Sequence, residues 1–318
     1  MKVLVVVSGN HSYVAPFVTE QAESLRQAGC EVDLFRVTGH GFFGYLQNLK
    51  SLKVAIHRFN PDIIHAHYGL CGLLCTLQHK VPVVVTYHGS DINDRRILPF
   101  SRIAIHRAAH NIFVSRKLQK ISLDVLMPRG LEAFSSVIPC GVDLGIFHPI
   151  RREIVCQTLG LDPETHYILF AGSFDNDVKN PQLAKEAFEL LKSQLEQKES
   201  VLLLELKGYN RSEVAMLMNA VDCLLMTSHS EGSPQVTKEA LACGCPIVSV
   251  DVGDVAEQLE RVEGCYVANN NNPKVLAELL KKAIACDRAN TGKHKAVDCL
   301  DNRHVAEELL MVYNSVIR

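Results

Sequence analysis

Ser230-Glu231-Gly232-Ser233-Pro234-Gln235-Val236-Thr237-Lys238-Glu239-Ala240-Leu241-Ala242-Cys243-Gly244-Cys245-Pro246 lies between two short apolar runs, Cys223–Thr227 and Ile247–Val250. Short apolar runs on either side of one helical segment describe strand, helix and strand, the repeating unit of a parallel sheet. The start of the helix reads residue by residue. Ser233 is a good N-cap, Pro234 suits the first helical position, and Gly244 followed by Pro246 closes the far end. The amides of Gln235, Val236 and Thr237 then point out of the helix start with the dipole behind them, an anion site suited to phosphate. Glu231 precedes the helix, with Gly232 and Ser233 in the same loop, and Glu239 lies in the second turn. Carboxylates repel phosphate but accept hydrogen bonds from hydroxyls, such as a ribose diol or a sugar ring. An anion site flanked by two hydroxyl acceptors suggests a nucleotide sugar.

The same alternation extends in both directions. Lys2–Ser8 reads as a first strand, followed by a helix Pro16–Ala28 that Gly29 stops, and by the strand Glu31–Val37. A helical stretch then runs to Arg58, where Asn60-Pro61 ends it. Next come strand Ile63–Ala66, helix Leu70–His79, strand Val83–Tyr87, a helix near Pro99–Ala109, strand Ile112–Val114 and strand Ser136–Pro139. Cys140–Asp162, with Gly141, Gly145, Pro149 and the charged Arg151-Arg152-Glu153, reads as a crossing. Strand Tyr167–Ala171 opens a second α/β set that runs through helices Pro181–Gln197 and Ser212–Ala220 to helix Pro273–Cys286, and a last helix covers Arg303–Ile317. The expected fold class is α/β, with two Rossmann-like parallel-sheet domains over 1–148 and 149–302 that face a cleft. The helix at 303–318 is expected to pack back toward the N-terminal domain. Ligands of such sheets bind beyond the carboxyl ends of the strands, so site residues should follow strands.

Bulk properties narrow the function classes. At 318 residues with 47% hydrophobic and 21% charged content, the chain suffices for two ordinary cores. A formal net charge of −2 gives no reason to expect nucleic-acid binding. The eleven cysteines are scattered without a C-x-x-C pair, which fits a reducing cytoplasm. The short apolar run after Met1 suits a buried strand better than a signal peptide, and no run approaches the ~20 apolar residues of a membrane span.

Several strand ends carry chemistry. Gly9 in Gly9-Asn10-His11-Ser12 would let a ligand approach the backbone, although an ordinary tight turn explains it equally well. His65-Ala66-His67 and Thr86-Tyr87-His88-Gly89 end neighbouring strands, so their histidines converge. His65 reads as a hydrogen-bonded core residue and His88 as functional. No carboxylate or cysteine spacing completes a metal site around them, and no metal is expected. Gly172 ends the first strand of the second half, and Lys179 beyond it stands beside a helix start, placed to pair with a diphosphate. Gly208 ends another strand, where exposed backbone would face a base or simply turn the chain. From Arg95 to Lys120 there is no acidic residue, while Arg95, Arg96, Arg102, Arg107, Arg116, Lys117 and Lys120 alternate with apolar residues. Such a region 95–120 suits anionic lipid or an acceptor diphosphate, and equally a solvated helix face.

These features together resemble the family 4 glycosyltransferases of the GT-B fold, in a short variant. The resemblance is carried by Glu231-x7-Glu239 with Gly-Ser-Pro inside it, the following Ala240-Leu241-Ala242-Cys243-Gly244-Cys245-Pro246-Ile247-Val248, Thr86-Tyr87-His88-Gly89, Ile138-Pro139-Cys140-Gly141-Val142-Asp143, and Gly253 in Asp251-Val252-Gly253-Asp254. It implies an acceptor held mainly by the first domain and a sugar nucleotide by the second. Glu231 would contact the donor sugar, Glu239 the ribose diol, Lys179 the diphosphate, and His88 would stand beside the donor sugar. It also implies retention of configuration, no cofactor beyond the nucleotide-sugar substrate (UDP-linked or GDP-linked, UDP first), and a saccharide or lipid-linked acceptor in cell-surface polysaccharide synthesis. The setting would be the cytoplasm, at the inner face of the membrane. Two departures stand out: Ser173 follows Gly172 where the family usually has arginine, and the stretch from Lys179 to Gly208 is one βα unit short. Lys207 and Arg211 are the candidate replacements for that arginine. The alternatives are a non-catalytic sugar-nucleotide-binding partner protein and a nucleotide-sugar epimerase on the same fold. A dehydrogenase is disfavoured, since the loop after the first strand, Gly9-Asn10-His11-Ser12, is not G-x-G-x-x-G.

Overall fold

The computed structural model describes residues 1–10, 14–126, 131–196, 200–286 and 295–317. His11 and Ser12 of the first glycine loop lie outside the described residues. Internal contacts divide the chain into two units, one of residues 1–141 with 300–318 and the other of residues 142–299.

Among the described residues the first unit holds six strands: β1 (Lys2–Ser8), β2 (Glu31–Val37), β3 (Ile63–His67), β4 (Val83–Tyr87), β5 (His110–Phe113) and β6 (Ser135–Val137). Their order is β2-β1-β3-β4-β5-β6, and every pairing is parallel. Parallel strands need crossovers, so helices cover both faces and the strands are buried on both sides. β1 shows this directly. Leu4 and Val6 join a cluster with Leu52, Ile56, Leu74 and Ile105, while Val3, Val5 and Val7 join one with Val18, Leu25, Val305, Leu309 and Tyr313. The period-two alternation of a strand thus feeds two cores, and each fully buried branched side chain contributes about 1.5–3 kcal/mol. The last three residues of the second cluster come from the C-terminal helix Asn302–Ile317, which packs beside helix Pro16–Gln27. The Tyr313 hydroxyl lies 2.6 Å from Nδ1 of His65 on β3.

The second unit holds β7 (His166–Phe170), β8 (Val201–Glu205), β9 (Cys223–Met226), β10 (Ile247–Val250) and β11 (Tyr266–Ala268), ordered β11-β10-β9-β7-β8 and again parallel. Among the described residues only helix Pro181–Gln194 and β8 separate Lys179 from Gly208, as the short spacing predicts.

Three expectations need correction. The crossing Cys140–Asp162 contains a helix, Arg152–Leu159, closed by Gly160 at φ 66°. Its charged start misleads: the Arg152 guanidinium is an anchor, donating to the carbonyls of Ala220 (2.9 Å), Pro163 (2.6 Å) and Thr165 (3.0 Å). The stretch ending at Arg58 is two helices, Gly41–Leu46 and Leu49–Phe59. Between them Asn48 turns the chain, its Nδ2 bonding Thr38 O at 2.7 Å and Gly44 O at 3.0 Å. Helix Arg116–Leu126 is missing from the expected element order, which passes from strand Ile112–Val114 to strand Ser136–Pro139, although Ser115 caps it, its Oγ accepting from Leu118 N at 3.2 Å.

Candidate functional site

In the second unit β7 lies between β8 and β9, so the connections leaving the carboxyl ends of β7 and β9 run to opposite sides. A crevice opens where such a strand order reverses. Gly172 to Asn180 follow β7, and Thr227 to Pro234 follow β9. A Cβ on Gly172 would stand 2.7 Å from Cγ of Lys179, so glycine is required for the lysine stem to cross here. Lys179 ends a single 3-10 turn, Asp177–Lys179, capped by Asn176, whose side chain accepts from the Val178 amide at 3.1 Å. Thr227 Oγ1 donates to the carbonyls of Lys179 and Asn180, both at 2.9 Å, so the end of β9 fixes the backbone of this turn. Lys179 Nζ then reaches Glu231 Oε1 at 2.6 Å.

The helix between the glutamates runs Gln235–Ala242, and its start lies one residue later than the sequence suggests. Pro234 occupies the cap position at φ −64°, ψ 126°, and no side chain caps the helix. Ser233 is occupied elsewhere, accepting from Gln258 Nε2 at 3.3 Å. Gln258 also bonds Thr237 Oγ1 and, at 2.7 Å, Asp254. Gly253, at φ +59°, closes the same clamp: a Cβ there would lie 2.9 Å from Gly232 O. With no side-chain acceptor at the cap, the first-turn amides of Val236 and Thr237 face outward for an anion. The far end is closed as expected. Cys245 N bonds Ala240 O at 2.9 Å and Gly244 N bonds Leu241 O at 3.1 Å, the Schellman pair, with Gly244 left-handed at φ 65°.

Glu239 is 4% exposed. Arg211 Nη1 reaches its Oε1 at 2.7 Å. The guanidinium of Arg211 lies 4.5 Å from the ring centroid of Phe147, which is fully buried. Arg211 opens helix Arg211–Ala220, and a capping box sets that opening: Asn210 Oδ1 accepts from Glu213 N at 3.1 Å, and Glu213 accepts from Asn210 N at 2.7 Å. Each member of the glutamate pair therefore carries a cation. The Asn210-Arg211-Ser212-Glu213 signature is legible in the sequence, but the pairing of Arg211 with Glu239 is not. Of the two candidate replacements for the absent arginine, Lys207 pairs instead with Asp175 on an exposed loop, and Ser173 Oγ accepts from the Asp175 amide at 3.3 Å. Gly208, at φ +82° with open space around its Cα, is an exposed left-handed turn position.

The other sequence-derived positions, Gly9 and His88, belong to the first unit. Gly9 is forced by crowding, since a Cβ would stand 2.9 Å from Cβ of Arg36. His65 is the core residue expected: Nε2 meets Thr86 Oγ1 at 2.7 Å and Nδ1 meets Tyr313. Burial, then the neighbouring His67 and His88, push its pKa well down. Burial lowers that of His67 to about 3. His67 Nδ1 lies 3.0 Å from His88 Nε2, and His88 Nδ1 lies 3.7 Å from Cys140 Sγ. His67 Nε2 is buried without a hydrogen-bond partner. An orphaned acceptor costs less than an orphaned donor, which assigns the proton to His67 Nδ1, donating to His88 Nε2. Both nitrogens of His88 are thus engaged inside the first unit. Asp91 holds this loop, accepting from the amides of Gly89 (2.9 Å), His88 (3.1 Å) and Gly69 (3.2 Å), and burial raises its pKa to about 6 against those bonds. A cavity of about 490 Å³ beside it is lined by Ser8, Tyr45, Tyr68, Asp91, Asp94 and Ile97.

Two parallel-sheet units with a strand-end site of this kind define the GT-B class, and known proteins agree. Sucrose-phosphate synthase from Thermosynechococcus elongatus superposes with a TM-score of 0.82 at 17% identity over 99% of both chains. Anabaena HepE, solved in complex with UDP, gives 0.75 at 16% over 99% of this chain and all of that one. Residues 14–145 match the Glycosyltransferase Family 4 model and residues 198–296 match Glycosyl transferases group 1. The chain belongs to the family 4, group 1-type glycosyltransferases. It is 28% identical over 222 residues to the putative teichuronic acid biosynthesis glycosyltransferase TuaC of Bacillus subtilis (strain 168), a match covering 62% of this chain and 54%, about half, of that protein. It is 26% identical over 307 residues to a D-inositol 3-phosphate glycosyltransferase of Jonesia denitrificans, covering 79% of this chain and 71% of the relative.

Proposed function

We propose that the chain is a retaining glycosyltransferase that moves a hexosyl group from a UDP- or GDP-linked sugar to a saccharide or lipid-linked acceptor in cell-surface polysaccharide synthesis. The observation that carries this reading is the pair Glu231 and Glu239, each held by a cation, on either side of a helix start with no side-chain cap. Hydroxyls of the sugar and the ribose would bond the carboxylates, and the diphosphate would take the first-turn amides. As the anomeric bond breaks, charge grows on the leaving diphosphate, where Lys179 and those amides are placed to meet it. Glu231 is not assigned as a carboxylate nucleophile, because its oxygen is already bound to Lys179; a front-side route, with the leaving phosphate taking the acceptor proton, suits the site better. This reading needs no metal, and turnover unchanged by a chelator is expected.

The acceptor and membrane side of the reading draws on the first unit. Arg95, Arg96 and Arg102 are exposed beside exposed Ile103. Phe42 stacks on Phe100 at 5.2 Å and brings the 78%-exposed Phe43 into the same neighbourhood. A basic surface with apolar side chains among the charges favours an anionic membrane face. Among the described residues no helix is long and apolar enough to cross a membrane.

Titration with UDP, GDP and ADP, followed by incubation with the labelled sugar nucleotide of the best binder, tests the reading. Saturable micromolar binding and transfer to an acceptor are expected; absence of any nucleotide binding would sink it. Ser173, with only a short hydroxyl where the family carries arginine, favours one second reading, a sugar-nucleotide-binding protein without turnover. Binding without transfer across a panel of acceptors would support that instead.

A further inference from the structure

We propose that Arg211 is a positioning residue for ribose recognition: it holds the Glu239 carboxylate ionised and aimed, so that preference for ribonucleotides over 2′-deoxyribonucleotides depends on this pair. The inference rests on the reading above, in which Glu239 accepts from the ribose diol. At 4% exposure a lone carboxylate would be strongly disfavoured as an anion, and Arg211 supplies the opposite charge at 2.7 Å. The arginine is itself pre-set. The Asn210–Glu213 box fixes the first turn from which it springs, and the buried Phe147 ring lies under its guanidinium at 4.5 Å. Lys179 is committed to Glu231 and Lys207 to Asp175, so these two and Arg211 each have a separate carboxylate. Arg211 answers the burial of Glu239 and does not stand in the position that Ser173 leaves to the diphosphate. An ionised carboxylate offers about four lone-pair sites, so a planar guanidinium on one oxygen does not exhaust its capacity for a diol. An ionised acceptor gains two bonds from a cis-diol and one from a 2′-deoxyribose, a difference of about tenfold or more in affinity.

The test uses the full chain with UDP, GDP and ADP and their 2′-deoxy counterparts, measured for wild type, Arg211→Gln and Arg211→Lys. Wild type should prefer the ribonucleotide about tenfold or more. Arg211→Gln should lose most of that affinity while the deoxynucleotide changes about twofold or less, so the ratio collapses; Arg211→Lys should fall between. An equal loss for both nucleotides, which a diphosphate contact would give, overturns the proposal, as does an unchanged ratio. If Arg211→Gln does not fold, the ratio for Arg211→Lys decides in the same terms. A wild type that binds the nucleotides without ribose preference overturns this inference alone, and one that binds none of them removes the nucleotide reading and this inference with it.

Discussion

Lys179 and Glu231, from the loops after β7 and β9, meet at 2.6 Å across the point where the strand order of the second unit reverses. The lysine side chain is 25% exposed and the carboxylate 16%, so the pair is shielded more than a surface bridge but remains within reach of a ligand. A diphosphate arriving beside Lys179 would share its ammonium with Glu231. Lys179→Ala should therefore weaken nucleoside diphosphate binding about tenfold and lower turnover further, because the leaving-group charge grows in the transition state. Glu231→Ala should leave diphosphate affinity within about threefold while turnover drops a hundredfold or so, since its contact is with the transferred sugar. Calorimetry with the diphosphate alongside steady-state kinetics reads both; the reverse pattern would exchange the roles.

Glu239→Ala removes the acceptor on the other side of the helix start. The expected loss in nucleotide affinity is about tenfold or more, from hydrogen bonds to a charged group. Arg211 is 26% exposed and rehydrates partly, so the fold should survive, with a melting temperature lowered by only a few degrees. Unchanged affinity for the free nucleoside diphosphate would exclude Glu239 from the nucleotide site.

Much of this arrangement is legible in the order of the amino acids alone. Both sheets follow from the strand–helix alternation, and Gly172, Lys179 and Glu231 fall in loops after strands, with Glu239 in the helix that follows, because ligands of parallel sheets bind there. Gly244 shows how a local rule becomes readable: glycine one residue past the cap Cys243, at φ 65°, turns the chain so that its own amide and that of Cys245 satisfy two carbonyls. Ser233 shows the limit. Serine before proline reads as a cap, but its hydroxyl is bound by Gln258, far along the chain, and such a competitor has no local signature. The partners of Arg211, named only as a candidate for the absent arginine, and of Arg152 stay hidden for the same reason. A charged residue beside polar ones reads as solvated, and only tertiary structure brings Glu239 to the one and three carbonyls to the other. His88 is legible as a strand-end residue, while its engagement by His67 and Cys140 depends on the pairing of β3 with β4 and on the turn after β6.

Two glycines offer a steric test. Gly172→Ala places a Cβ 2.7 Å from Cγ and 3.1 Å from Cβ of Lys179, on a turn whose backbone Thr227 holds, so the lysine must shift. The variant should resemble Lys179→Ala in kinetics and lose some stability, less than Gly253→Ala because Gly172 has no positive φ to strain. Gly253→Ala meets backbone, Gly232 O at 2.9 Å, and sits at φ +59°. It should cost roughly 1–3 kcal/mol of stability and displace the Glu231 loop. Urea unfolding and turnover of the two variants should therefore differ, the first losing activity with the smaller loss of stability and the second losing both. Equal stability loss in the two would contradict the stated contacts.

The first unit predicts how stability responds to acid. His67 is held near a pKa of about 3 by burial, and His65 is lowered by burial and by its neighbours. Below pH about 6.5 the unfolded chain therefore takes up two protons that the native state refuses, and stability falls. Asp91 acts in the opposite sense: with a native value of about 6, it binds a proton between pH about 6 and about 4 that the unfolded carboxylate does not. Among these three groups the unfolded state is ahead by about one proton near pH 5, so they lower stability by about 1.4 kcal/mol for each unit of acidification. His110, lowered by burial, adds to the fall, and Asp254, raised by burial, opposes it. His67→Gln removes one refused proton and should flatten the dependence between pH 6 and pH 4.5. Urea unfolding of both proteins at pH 7, 6 and 5 measures it; a wild type whose stability is level or rises over that interval would show that the histidine stack opens to solvent before it unfolds.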